Sequence, residues 1–249
     1  MIMSENTTHP DRARRADGVR AAPRWRDVAD AARGLGIIAG ALLTPPLRSR
    51  RVRWGTSDRN LARGYPGDEL IPDARWGWTH SVHVAAPAHM IWPWLAQIGA
   101  DRAGFYSYAP LENLVGCRLR NADRVHPEWE AREGDGLSIH PSTPPLRIVS
   151  VEPGRHVLAH DAPDEGARQD GRPWVEGTWL FLIEPLARWD SRVVSRYRCA
   201  TSSDLRTRLS FGPALIEPIG FAMDRRMLLG LKERAEGRVP HGLPEVAGR

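Results

Sequence analysis

The chain has 249 residues, of which 41% are hydrophobic and 26% charged, enough apolar material for one substantial core and too much for a disordered polymer. Its formal net charge of +5 is lopsided: residues 1–53 hold 11 Arg against 5 acids, and the remainder holds 24 basic against 25 acidic residues. A nucleic-acid-binding domain carries its positive charge on the folded part, so this distribution argues against a nucleic-acid partner. Residues 1–23 are polar, Arg-rich and without hydrophobic period, which reads as a disordered leader. Trp25, Val28, Ala32, Leu35, Ala39 and Leu42 then recur at steps of three and four, predicting an amphipathic helix within residues 24–53. The uncharged run GLGIIAGALLTPPL, 34–47, has 14 residues, short of the roughly 20 that cross a bilayer, and starts too far from Met1 for a signal peptide. Two readings stay open for 24–47: peripheral contact with an anionic membrane surface, or packing on the domain.

Residues 54–77 contain Pro66, Gly67 and Pro72 and no sustained period, so they read as an ordered linker, with Trp54 and Trp76 anchoring it on the domain of residues 78–240. That domain opens on a strand, Trp78 to Val84. Pro87 and the apolar positions Ile91, Trp94, Leu95 and Ile98 predict a first short helix, stopped by Gly99. Ser107, Pro110, Leu111, Leu114 and Val115 predict a second, ended by Gly116. Strand-length runs follow at 137–140, 146–151, 156–160, 178–184 and 192–200, joined by short turn-rich connections that favour an antiparallel meander. The polar stretch 162–173 reads as a mobile loop. A long helix begins near Pro213 or Pro218 and runs to Glu236, with Ile216, Ile219, Met223, Met227 and Leu231 on one side and Pro218 expected to start or kink it. Residues 241–249 are left as a tail.

Cys117 and Cys199 are far apart and in no ligand spacing, which excludes a disulfide framework or zinc site and makes a reducing, cytoplasmic compartment the default. The histidines do not converge either. His80 and His83 point to opposite faces of their strand, and His156 and His160 would stand about 13 Å apart. No HExxH, glycine-rich phosphate loop or GxSxG is present, so no metal and no cofactor is expected. Tyr106, Tyr108, Glu112 and Asn113 lie on or beside the second short helix, with Tyr108 and Glu112 able to share a face. They suit orientation of a ligand's polar group, or simple packing with Glu112 paired to an arginine. Trp92, Trp94, Trp129, Trp174 and Trp179, with Trp179, Phe181 and Ile183 on one strand face, either line a cavity or fill the core. Asp123, Arg124, His126 and Glu128 form the densest polar cluster, a surface turn or an acid/base site.

The order strand, two short helices, antiparallel run and long helix is that of an α+β helix-grip fold. With it, AAPAHMIWPWLAQIG (85–99), AGFYSYAPLENLVG (103–116), NADRVHPEW (121–129), GTWLFLIEPL (177–186) and MDRRMLLGLKERAEG (223–237) resemble the START-like (SRPBCC) superfamily, in its polyketide cyclase or dehydrase-like branch. The usual Asp or Ser cap before the first helix is replaced by Ala86. The resemblance implies a curved sheet gripping the long helix over a cavity for a small apolar or aromatic molecule. Its lining would come from Trp94, Tyr106, Tyr108, Leu111, Glu112, Trp129, Trp179, Phe181, Met223 and Met227. Ligand binding is the first reading. A cyclase or dehydratase using Glu112 or His126 as general acid or base is the second, and a membrane-surface partner-binding module the third.

Overall fold

A computed structural model describes residues 25–238; the expectations for the leader, 1–23, and the tail, 241–249, lie outside the described residues. Six strands make one antiparallel sheet: β1 (Trp76–Val84), β2 (Gly136–Leu137), β3 (Leu146–Glu152), β4 (His156–Asp161), β5 (Val175–Ala187) and β6 (Asp190–Thr201), in the spatial order β1-β6-β5-β4-β3-β2. From β2 onward each strand pairs with the next, as short connections require. β1 closes the order by lying beside β6, in register from Trp76 opposite Cys199 to Val84 opposite Ser191. Bulges between Ile148 and Ser150 and between Pro185 and Ala187 break the ladders and bend the sheet.

Eight helices accompany the sheet among the described residues. They are α1 (Trp25–Leu43), α2 (Arg48–Arg51), α3 (Asp58–Leu61), α4 (Ala88–Ala96), α5 (Ala109–Leu114), α6 (Glu165–Gln169), α7 (Leu205–Ser210) and α8 (Pro213–Ala235), of which α4 and α8 pack on the sheet and α1 crosses α5 and α8. This is a helix-grip architecture. The core joins Ile91, Trp94 and Leu95 of α4, Met227, Leu228 and Leu231 of α8, and Phe181, Ile183, Val193, Val157 and Ile148 of the sheet. Each such side chain contributes on the order of 1.5–3 kcal/mol by leaving water. Two glycines let α8 settle. A Cβ at Gly220 would stand 2.5 Å from the Trp78 ring, and one at Gly230 only 2.2 Å from the Tyr106 carbonyl oxygen.

The opposite face is not left to water. Leu158, Leu180, Leu182 and Val194 form a second cluster with Tyr65, from the segment between α3 and β1. Asp68 holds that segment by accepting from Arg196 Nε at 2.7 Å and Nη2 at 3.2 Å. Further upstream the chain runs along the free edge of β1, where the Thr79 N–H donates to the Val52 carbonyl (2.8 Å) and the Ser81 N–H to that of Trp54 (2.9 Å). Arg48 donates through Nε and Nη2 to the buried carboxylate of Glu217, 2.6 Å each.

Several expectations shift. The run at 137–140 pairs over only two residues, β5 and β6 extend well beyond the runs read from sequence, and the loop 162–173 contains α6. α8 starts at Pro213 and passes through Pro218 as one helix. Its buried arc is Ala222, Asp224, Met227, Leu228 and Leu231, while Ile219 is exposed and Ile216 and Met223 are half-buried. The arc turned because Gly220 and Gly230, and not the bulky Ile219, allow the closest approach. α1 is also turned about: Gly34 and Ala41 are buried, and Trp25, Val28, Leu35 and Leu42 face out.

Candidate functional site

Two loops, 99–108 and 117–131, build a platform at the end of α4. Gln97 at its C-terminus is buried and satisfies three partners: its Nε2 donates to Tyr106 Oη (2.8 Å) and the Arg124 carbonyl (3.2 Å), and its Oε1 accepts from the His126 N–H (2.8 Å). Asn121 Nδ2 donates to the Ser107 carbonyl at 2.9 Å, and Arg234 Nε of α8 to the Ala122 carbonyl at 3.0 Å. The loops touch at Gly104, whose φ of +71° is left-handed and whose missing Cβ would lie 2.7 Å from Asn121 Oδ1. Tyr106 is left-handed too, at φ 55°. That costs a non-glycine residue about 1–2 kcal/mol, offset by the bond from its hydroxyl to the Trp94 carbonyl (2.9 Å) and by the Arg234 guanidinium 4.3 Å above its ring. Burial pushes the phenol well above its usual range.

This platform encloses a hollow of about 1030 Å³ bordered by Arg102, the run Arg120 to His126, Glu128 and Trp129. Its apolar part is Ala122, Val125 and Trp129, all packed against the main core, with the His126 ring stacked on Trp129 at 3.9 Å and 22°. Its polar part carries three arginines, Arg102, Arg120 and Arg124, against two acids, Asp123 and Glu128. Arg102 is fixed by two carbonyls, of Trp129 and Gly136, at 3.2 Å each, with its nearest carboxylate, Asp135, 4.0 Å away. Arg120 and Arg124 have no carboxylate within 4 Å among the described residues. Arg124 Nε donates to His126 Nε2 at 3.4 Å, and His126 Nδ1 faces Glu128 at 3.2 Å, an arrangement that fits the Nδ1–H tautomer. Glu128's own backbone N–H and the His126 ring hold its carboxyl below the ordinary range.

A second hollow, about 500 Å³, lies where the 48–53 segment meets β1 and β6. Four of its five arginines are already partnered: Arg48 by Glu217, Arg53 by Asp58, and Arg196 and Arg198 by Asp68, with Arg75 alone lacking a carboxylate within 4 Å among the described residues. Compensated charge of this kind reads as architecture.

The residues expected to line one cavity fall in three places. His126 and Trp129 border the first hollow. Trp94, Tyr106, Phe181 and Met227 lie in the main core with Trp179 against it, in a run of aromatic contacts from Phe105 to Trp179 (5.8 Å) and on to Phe181 (4.8 Å). Met223 is half-buried and accepts at its carbonyl from Ser107 Oγ (3.2 Å). Tyr108 and Leu111 turn toward α1, within 2.9 and 3.2 Å of where Gly34 would carry a Cβ. Glu112, beside them on α5, keeps Oε2 buried without a partner among the described residues, and burial lifts its pKa to about 7. The pairing of Glu112 with an arginine, weighed from sequence, is not made among the described residues.

One constellation was not anticipated. Asp224 of α8 is buried under the sheet, accepting from Ser195 Oγ of β6 at 2.6 Å and facing His80 Nδ1 of β1 at 2.5 Å. Ser195 Oγ in turn accepts from Trp179 Nε1 of β5 at 3.0 Å, and His80 Nε2 meets the Arg51 carbonyl at 2.9 Å. The serine bonds the carboxylate and not the histidine, so this is no nucleophilic triad. The two ring nitrogens of His80 thus face oxygen atoms on opposite sides, the Asp224 carboxylate and the Arg51 carbonyl. The signal existed: Asp224 falls on the buried arc of its helix, and His80 shares a strand face with Trp78 and Val82.

No known family model matches the sequence, and no curated protein matches it. Among solved structures it is similar to a protein from Mesorhizobium loti, at 13% identity over 63% of this chain and 95% of that one, with a TM-score of 0.33. It is similar to the Zhui aromatase/cyclase from Streptomyces, at 15% identity over 66% and 95%, with a TM-score of 0.32. A protein from Thermobifida fusca matches at 22% identity over 66% and 95%, with a TM-score of 0.28. With TM-scores near 0.3, no step of the functional reading rests on these likenesses.

Proposed function

We propose that the protein binds a small aromatic or apolar molecule carrying an acidic group, in the hollow bordered by Arg102, Arg120, Arg124, His126 and Trp129. The site expected between sheet and α8 is thereby moved to the loops 99–108 and 117–131, whose hollow is bordered by no residue of the sheet or of α8. One observation carries the reading: an aromatic floor that belongs to the core lies beside Arg102, whose nearest carboxylate is 4.0 Å away, and beside Arg120 and Arg124, which have no carboxylate within 4 Å among the described residues. Trp129 and His126 supply a flat apolar surface, and arginine forks suit a carboxylate or other oxyanion. Arg102 is already held by its two carbonyls, so it loses little freedom on binding. Titration with 1-anilinonaphthalene-8-sulfonate tests this. Saturable binding of one probe per chain is expected, weakened about tenfold in Trp129→Ala and in Arg120→Gln/Arg124→Gln; affinity unchanged in both variants overturns it.

The cyclase or dehydratase reading has one observation in its favour, a carboxyl at Glu112 poised to exchange protons near neutrality. Of the two acid/base candidates, His126 borders the hollow and Glu112 does not. Turnover of an enolisable aromatic substrate that is lost in Glu112→Gln, with binding retained, would support this second reading.

A further inference from the structure

α1 packs the wrong way round for a helix whose sole task is to complete a core. Its closest approach to α5 and α8 is made by small residues, Gly34 and Ala41, which are buried, with Ile37 and Ile38 half-buried between them. Its outer face keeps the large apolar ones: Trp25 is 87% exposed, Leu35 51%, Leu42 45% and Leu43 81%. Val28 and Leu47 extend the same exposed surface. Leaving so many large side chains in water forgoes stabilisation that turning the helix over would recover.

The charge around this face is mainly positive. Between Val28 and Arg53 there are five arginines against one acid, Asp30; Arg33 pairs with Asp30, Arg48 with Glu217 and Arg53 with Asp58, which leaves Arg50 and Arg51 without a carboxylate within 4 Å among the described residues. The chain bends by 99° between α1 and the Pro45–Arg51 run, so the basic residues follow immediately on the apolar ones without prolonging the helix. No single helix among the described residues is long and apolar enough to cross a membrane. The inner side of α1 is moreover already occupied by α5 and α8. A helix with an apolar outer stripe, arginine flanks and a protein-covered back fits a surface that is oily beneath and negative above.

We infer that α1 is a docking surface for an anionic lipid bilayer, lying in the plane of the headgroups with Trp25, Leu35 and Leu42 in the acyl boundary. The alternative occupant, a second copy of this chain, would bring arginines against arginines. The test is co-sedimentation of the full chain with vesicles of phosphatidylglycerol and of phosphatidylcholine at low and high salt. Binding to the anionic vesicles that falls at high salt, and is at least tenfold weaker in Leu35→Glu/Leu42→Glu, is expected. Because both leucines are exposed, that variant keeps the fold, which circular dichroism checks. Arg33→Ser/Arg50→Ser leaves the apolar face intact and should weaken binding about fivefold per arginine while flattening the salt dependence. Failure of the wild type to prefer anionic vesicles overturns the inference, as does equal binding by both variants. So does a wild-type dimer that Leu35→Glu/Leu42→Glu dissolves in the absence of any lipid binding.

Discussion

Two polar clusters in this molecule use the same kinds of side chain to opposite ends. Around Asp224, every charged or hydrogen-bonding atom meets another protein atom: His80, Ser195, Trp179 and the Arg51 carbonyl close the set. Around Trp129, Arg102 is fixed but not neutralised, and Arg120 and Arg124 have no close carboxylate among the described residues. The first cluster ties β1, β5, β6, α8 and the upstream segment together. The second leaves its charge available to something from outside. Saturated polar groups in a core are fastening, and unsaturated ones beside an aromatic floor are recognition.

Breaking the fastening should give the largest effect. Asp224→Ala strands His80 and Ser195 in the core and is expected to destabilise the protein by about 3–5 kcal/mol in urea unfolding, with Asp224→Asn losing less. Glu112 is the intermediate case, half-buried, with its buried Oε2 unpartnered among the described residues. Its pKa is raised to about 7, so the folded state holds a proton that the unfolded state releases at a lower pH. Stability must therefore fall as pH rises through that window, by on the order of 3 kcal/mol once the group is fully ionised. Glu112→Gln should remove that fall, gaining stability at pH 8 and little at pH 5, as thermal melts at both values will show. Next comes Gly104→Ala, which puts a methyl in a left-handed turn against Asn121. A loss of about 1–2 kcal/mol is expected, together with weaker probe binding as the two loops separate. Smallest in stability is Arg120→Gln, within about 0.5 kcal/mol of wild type, yet it should weaken anionic-probe binding measurably. If Arg120→Gln unfolds the chain, the contrast between fastening and recognition fails.

The fold was legible because its signals are local. Pro87 and Gly99 bracket α4, the short turns enforce a meander, and the apolar period of α8 is plain. What could not be read was which side of a helix turns inward. In α1 the large residues mark an obvious stripe, but the close crossing with α5 and α8 demanded Gly34 and Ala41, so the obvious stripe went outside. In α8 the same logic, through Gly220 and Gly230, brought Asp224 under the sheet. For the site, His126 and Trp129 could be singled out from a dense polar run with an aromatic beside it. Arg102 and Arg120 could not, since nothing in a sequence distinguishes an arginine fixed by carbonyls from one waving in solvent.

The strip of backbone from Val52 to Trp54 lies along the outermost strand of the sheet, its carbonyls accepting from the Thr79 and Ser81 N–H groups. It therefore acts as a selvedge. A shortened chain beginning after Trp54 would present β1 as a bare ladder of unmatched amides, the template on which identical molecules stack into polymers. Proteolysis at that point should then be followed by aggregation, whatever becomes of the lipid contact.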